Sequence, residues 1–153
     1  MIKVNVLSEE DSWSKKLDKK ENFFNQICKF FPKKFKFNHK KVFFTVLLSN
    51  NKRIKFLNKK FRNKNKHTDI LSFPFDQKTK KQKEIYLGDI IISFDYIAKP
   101  KNLNKKEFKK KTMKIFIHGF LHLLGFDHIK DKDYKKMLNT EQKIFESAKK
   151  LLN

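Results

Sequence analysis

His118-Gly-Phe-Leu-His122-Leu-Leu-Gly125-Phe-Asp-His128 gathers three of the chain's five histidines into one short stretch. His118 and His122 stand four residues apart, so on a helix they share a face, one turn from each other. Gly125 can take the left-handed conformation that ends a helix. The chain can then turn back and carry His128 to the same point. A lone histidine beside an apolar face is usually a core residue with a satisfied hydrogen bond. Three together each need partners for both ring nitrogens, and a shared ion supplies one partner per ring. Three neutral imidazoles suit one Zn2+ and leave a fourth position for water or substrate. A closed structural site would recruit a fourth ligand, and Cys28, the single cysteine, is remote in sequence.

Outward from this stretch, the pattern predicts a helix from about Asn104 to Leu124. Its first half is lysine-rich. Its second half, Ile115 to Leu124, is apolar almost all round, as in a buried central helix that carries the histidines. Residues 131–152 read as a final amphipathic helix with Tyr134, Leu138, Phe145, Ala148 and Leu152 on its core face. Upstream, residues 2–7 alternate as a half-buried strand. Asp11 to Phe31 reads as one helix, with Trp13, Leu17, Phe24, Ile27 and Phe31 at helical spacings and Pro32 ending it. Residues 33–40 read as a basic loop, Val42 to Leu48 as a buried strand, and Asn51 to Arg62 as a helix with Ile54, Leu57 and Phe61 on one face. Asp69 to Phe73 is a short strand stopped by Pro74. Residues 76–84 form a polar loop, and Tyr86 to Phe94 is another strand. The expectation is an α+β fold over residues 1–153 as one domain. A small mixed sheet of about four strands packs with about five helices around a zincin-like site.

Composition narrows the setting. The chain has 153 residues, enough for a real core, and 18 Phe raise the area each buried side chain removes from water. One cysteine excludes an intrachain disulfide and fits a reducing compartment. The first residues lack a signal peptide's apolar core, and no run approaches the roughly 18 apolar residues of a membrane span, so a cytoplasmic protein is expected. The net charge of +22 invites a polyanion partner. Charge alone does not decide this. Lys, Asn, Phe and Ile abundance is also what AT-rich codon usage produces, and the lysines are spread along the chain.

The histidine spacing is that of the metzincin motif His-Glu-x-x-His-x-x-Gly-x-x-His, with one substitution. Gly119 stands where the proteases have the glutamate that serves as general base. Peptide hydrolysis by that route is therefore not expected. An open ion could still polarise a phosphoryl or carbonyl oxygen, or lower the pKa of bound water towards about 7. Gly119 either makes room for substrate beside the metal or lets the helix pack closely.

Three segments together resemble the YbeY family of bacterial endoribonucleases. Leu57-Asn58-Lys59-Lys60-Phe61-Arg62-Asn63-Lys64-Asn65-Lys66-His67-Thr68-Asp69-Ile70-Leu71-Ser72-Phe73-Pro74 is similar to the family's L-N-x-x-[YF]-R-x-K-[DN]-x-x-T-D-V-L-S-F-P. Leu87-Gly88-Asp89-Ile90 matches L-G-D-I. His118 to His128 matches H-G-x-L-H-L-x-G-[YF]-D-H throughout. The resemblance implies a single-strand-specific, metal-dependent endoribonuclease of 16S rRNA 3′-end maturation and ribosome quality control. Its partners would be single-stranded RNA and the ribosome's 30S subunit, with no DNA and no membrane. Carried over by position, His118, His122 and His128 would bind one Zn2+, and Arg62 and His118 would be needed for catalysis. His67 departs from the family, which usually has Pro before Thr-Asp.

The residues themselves support a special role for Arg62. Only Arg53 and Arg62 are arginine among 38 basic residues. Arginine grips a phosphate through two parallel hydrogen bonds, where lysine offers a point charge. Asp69, Asp89 and Asp127 each have two readings, a turn cap or a group that orients a metal-bound histidine. Two rival functions remain at this level: a non-catalytic, zinc-stabilised rRNA-binding assembly factor, and a metal-dependent hydrolase of another substrate.

Overall fold

In the computed structural model, which describes residues 1–35, 40–75 and 83–153, alternation along each strand sorts the sheet's two faces. The strands are β1 (Ile2–Ser8), β2 (Lys41–Ser49), β3 (Ile70–Pro74) and β4 (Glu84–Ser93), in the order β1-β2-β4-β3. β1, β2 and β4 run parallel, and β3 is an antiparallel edge strand with Ser72 opposite Ile90. The helices are α1 (Ser12–Lys16), α2 (Lys20–Cys28), α3 (Asn51–Arg62), α4 (Phe94–Ile97), α5 (Lys105–Leu123) and α6 (Asp131–Ala148). The mixed four-stranded sheet with a buried histidine-bearing helix is the expected α+β architecture. Among the described residues no helix is long and apolar enough to cross a membrane.

The main core lies on one face of the sheet. Val42, Phe44, Val46 and Leu48 of β2 point into it, together with Ile90 and Ile92 of β4, and α5 crosses over them with Phe116, Ile117 and Phe120 fully or almost fully buried. Ring packing organises this layer: Phe31 stacks on Phe120 at 4.0 Å, and Phe24 meets Phe116 edge-on at 4.8 Å. Trp13 is wholly buried and donates its indole N–H to the Ser49 carbonyl at 2.9 Å. On the other face α3 forms a smaller cluster, with Ile54 over Leu71 and Ile91.

Three expectations are corrected. The helix read over 11–31 is two helices, because the chain is extended at Leu17 (φ −122°, ψ 110°). Leu17 and Phe24 both reach the core, so their spacing is met by two short helices as well as by one. In α6 the core stripe is Met137, Ile144 and Ala148, while Tyr134 and Leu138 are exposed, and residues 149–152 form a 3-10 turn. Phe61 is exposed rather than packed under α3. Of the two loops expected, residues 36–39 and 76–82 lie outside the described residues.

Candidate metal centre

α5 begins on a capping box. Asn104 accepts from the Glu107 backbone N–H at 2.8 Å, and the Glu107 carboxylate reaches back to the Asn104 N–H. It ends on a Schellman turn. The Gly125 N–H bonds the His122 carbonyl at 3.0 Å, and the Phe126 N–H bonds the Leu121 carbonyl at 3.0 Å. Gly125 sits at φ +93°, where a side chain would strain the backbone. That turn reverses the chain. Asp127 then accepts from the His128 and Ile129 N–H groups at 2.6 and 3.2 Å, so its carboxylate shapes the loop that presents His128. Of its two readings, the turn cap is the one seen.

The three rings converge. One ligand-capable nitrogen from each of His118, His122 and His128 lies within 4.8 Å of the other two, and the trio could hold a metal ion. Ring centroids are 4.6 to 5.7 Å apart. The outer nitrogens of His118 and His122 are taken. His122 Nδ1 donates to the Phe126 carbonyl at 2.9 Å, because a carbonyl only accepts. His118 Nδ1 faces the Glu141 carboxylate of α6 at 2.5 Å. With each Nδ1 so committed, a neutral ring keeps its Nε2 lone pair free, and the two Nε2 atoms are 3.0 Å apart. Two ring nitrogens facing at that distance are satisfied by a proton or a metal ion between them. This donor set, three imidazoles of which two have their outer nitrogen anchored, fits zinc or another borderline ion.

Burial holds the His122 imidazole below its ordinary pKa of 6.5, and the neighbouring His118 and His128 rings push the same way. The Phe126 carbonyl and Asp127 oppose them. The folded chain thus binds fewer protons than the unfolded chain just below pH 6.5. Stability from this group rises with pH through that window and is lost as pH falls. Metal and protons compete for the same lone pairs. Metal loaded near neutrality should be released on dialysis at about pH 5 and kept at about pH 7.5, as elemental analysis would show.

The other residues singled out by sequence fall in distinct places. Arg62, the last residue of α3, donates from Nη2 to the Ser72 carbonyl of β3 at 2.8 Å. Ser72 Oγ in turn donates to the Gly119 carbonyl on α5 at 3.1 Å. Arg62 thus reaches β3 from one face of the sheet, while the histidine helix packs on the other. Arg53 is committed to Glu9 at 2.9 and 3.3 Å. Among the described residues Arg62 pairs with no carboxylate. Gly119 serves close packing: a Cβ there would lie 2.5 Å from Ile70 Cδ1. Asp69 Oδ1 caps its own turn, accepting from the Ile70 N–H at 2.8 Å. Asp89 shares the α3 side of the sheet with Ile91 and accepts from the Tyr86 hydroxyl, away from the histidines. His67 packs edge-on against Tyr96.

Sequence reading passed over Glu141. A signal existed: Glu141 lies four residues after Met137 and three before Ile144, a carboxylate on the buried stripe of α6. A charge there needs a partner.

Comparison with known proteins follows the same lines. The family model for Endoribonuclease YbeY matches residues 6–149. A Pelagibacter ubique protein named Endoribonuclease YbeY is 60% identical over 149 residues, covering 97% of each chain. One of the same name from Sulfurihydrogenibium is 34% identical over 145 residues, covering 94% of this chain and 92% of that protein. The solution structure of TM1509 from Thermotoga maritima superposes with a TM-score of 0.57 at 29% identity, over 97% of this chain and 89% of that one.

Proposed function

This chain belongs to the YbeY endoribonuclease family, and we propose that it cleaves single-stranded RNA with one zinc ion, acting in the cytoplasm as one domain in 16S rRNA 3′-end processing and ribosome quality control. The observation that carries this reading is the pair of facing imidazole nitrogens with both outer nitrogens anchored. Family membership makes RNA the first substrate to test.

His118, His122 and His128 are proposed as the metal ligands. A zinc ion held there would supply Lewis acidity towards a phosphate oxygen or water. The remaining work belongs to the chain's own groups. Arg62 would take the non-bridging oxygens of the phosphate in its fork and offset the charge that develops on them. Its bond to the Ser72 carbonyl holds the guanidinium against β3. Glu141 would hold His118 in the Nδ1–H tautomer and raise the basicity of its Nε2. The RNA backbone would lie between the histidine turn and the segment from Arg62 to Phe73, with lysines around it and the 30S subunit as the larger partner.

Glu141→Gln should keep the fold and weaken zinc binding about 10- to 100-fold, since the outer partner of a ligand ring loses its charge. Competition against a chelator of known affinity measures this. Unchanged affinity would remove Glu141 from the site. Incubation of the metal-loaded protein with single-stranded RNA, with fragments mapped at nucleotide resolution, tests the activity. Intact RNA after prolonged incubation would leave the assembly-factor reading in its place.

A further inference from the structure

The exposed phenylalanines among the described residues are Phe56, Phe61 and Phe75. A chain with 18 phenylalanines would be expected to scatter its exposed rings if codon usage alone placed them. Instead Phe56 and Phe61 sit on α3, the helix that Arg62 ends, and Phe75 just beyond β3. Phe61 immediately precedes Arg62 and is 60% exposed. Its ring meets Phe73 of β3 edge-on at 5.6 Å, and the Arg62 guanidinium lies 5.5 Å from the centre of Phe73. The Lys60 ammonium lies 5.3 Å from the Phe61 ring and 5.9 Å from that of Phe56. One helix end thus presents an exposed ring, propped from beneath by a second ring and bordered by two cations.

We propose that Phe61, backed by Phe73, is a stacking platform for an unpaired RNA base adjoining the phosphate that Arg62 receives. The inference rests on the RNA-cleaving reading above and adds to it the element that selects single strands. A largely exposed ring with the mobile Lys60 ammonium over it and Arg62 beside it matches a base and its backbone phosphate. A duplex keeps its bases stacked on each other and cannot offer one to the ring. An isolated phosphate would be satisfied by the cations and gain nothing from Phe61. Phe75, also exposed and edge-on to Tyr86 at 5.8 Å, lies beyond the end of β3, in a position to meet the strand further along.

The test is equilibrium binding of the zinc-loaded protein to a fluorescent, cleavage-resistant RNA strand. The same strand with abasic sites and its duplex are measured in parallel. Phe61→Ala, Phe61→Leu and Phe61→Trp are compared with wild type, each checked for an unchanged melting temperature. Phe61→Ala should bind the full strand about tenfold more weakly, as the loss of one stacked base predicts. Phe61→Leu should behave like Ala, and Phe61→Trp should match or exceed wild type. Affinity for the abasic strand should differ little among all four, and the salt dependence should not change, because no charge is removed. Equal binding by wild type and Phe61→Ala would overturn the platform, as would a loss of the same size on the abasic strand or full rescue by leucine. Cleavage of an ordinary strand by wild type is scored separately. Its absence would defeat the ribonuclease reading, whereas the affinity pattern decides the platform.

Discussion

Arg62→Ala should lower the rate of RNA cleavage by about 10²- to 10³-fold, the usual cost of removing one donor aimed at developing charge. Its melting temperature should stay close to wild type. Arg62 is exposed, and its visible ties to the fold are one hydrogen bond to the Ser72 carbonyl and a cation–π approach to the Phe73 ring, together about 1–2 kcal/mol. Arg62→Lys should recover little. Lysine keeps the charge but loses the planar fork that grips two phosphate oxygens. Arg53→Ala is the matched control. Arg53 is the chain's other arginine and is bound to Glu9, so losing it should leave cleavage near the wild-type rate. Single-turnover cleavage of a labelled strand measures all three. Arg62→Ala at wild-type rate would take Arg62 out of the proposed chemistry.

His122→Ala should lose bound metal and cleavage together. The ring sits between His118 and His128, and its Nδ1 is held by the Phe126 carbonyl. Its removal takes one donor from three and opens the turn after α5. The two remaining imidazoles would hold zinc far more weakly. Where free metal is about a thousand times the Kd, binding stabilises a fold by about 4 kcal/mol. For a chain of this size, loss of that term lowers the melting temperature by on the order of 10 °C. Stripping the wild type with a chelator should produce a similar drop, because both remove the same ion. His67→Ala should keep its metal, since His67 packs on Tyr96 instead. Elemental analysis and thermal denaturation on the same preparations check both effects. A metal-replete His122→Ala protein would place the ion elsewhere.

What could be read without coordinates was what sequence neighbours determine. The four-residue step from His118 to His122, the glycine stop and the short return to His128 are local geometry, and the rings do come together. The strands were legible because β2 and β4 carry β-branched and aromatic runs that only a sheet interior accommodates. The misses share one cause. Periodicity leaves more than one face of a helix open as the core face, and packing alone chooses among them. Phe61 therefore looked like core and is exposed, and α6 turned Met137 inward in place of Leu138. Glu141 is 23 residues from His118, on another helix. Only the docking of α6 on α5 brings them together. The three aspartates were ambiguous for a related reason. Whether Asp89 serves the histidines depends on which side of the sheet it occupies, and the register irregularity in β2–β4 between Phe43 and Thr45 precedes its pairing with Thr45.

The decisive measurement uses one preparation of wild-type protein, stripped of metal and then reloaded with zinc. Each form is incubated with a single-stranded RNA and with the same RNA annealed to its complement. The proposed mechanism predicts internal cuts in the single strand by the reloaded form alone, an intact duplex, and no cutting by the stripped form. Equal cleavage by stripped and reloaded protein, or cleavage of the duplex as fast as of the single strand, would contradict it.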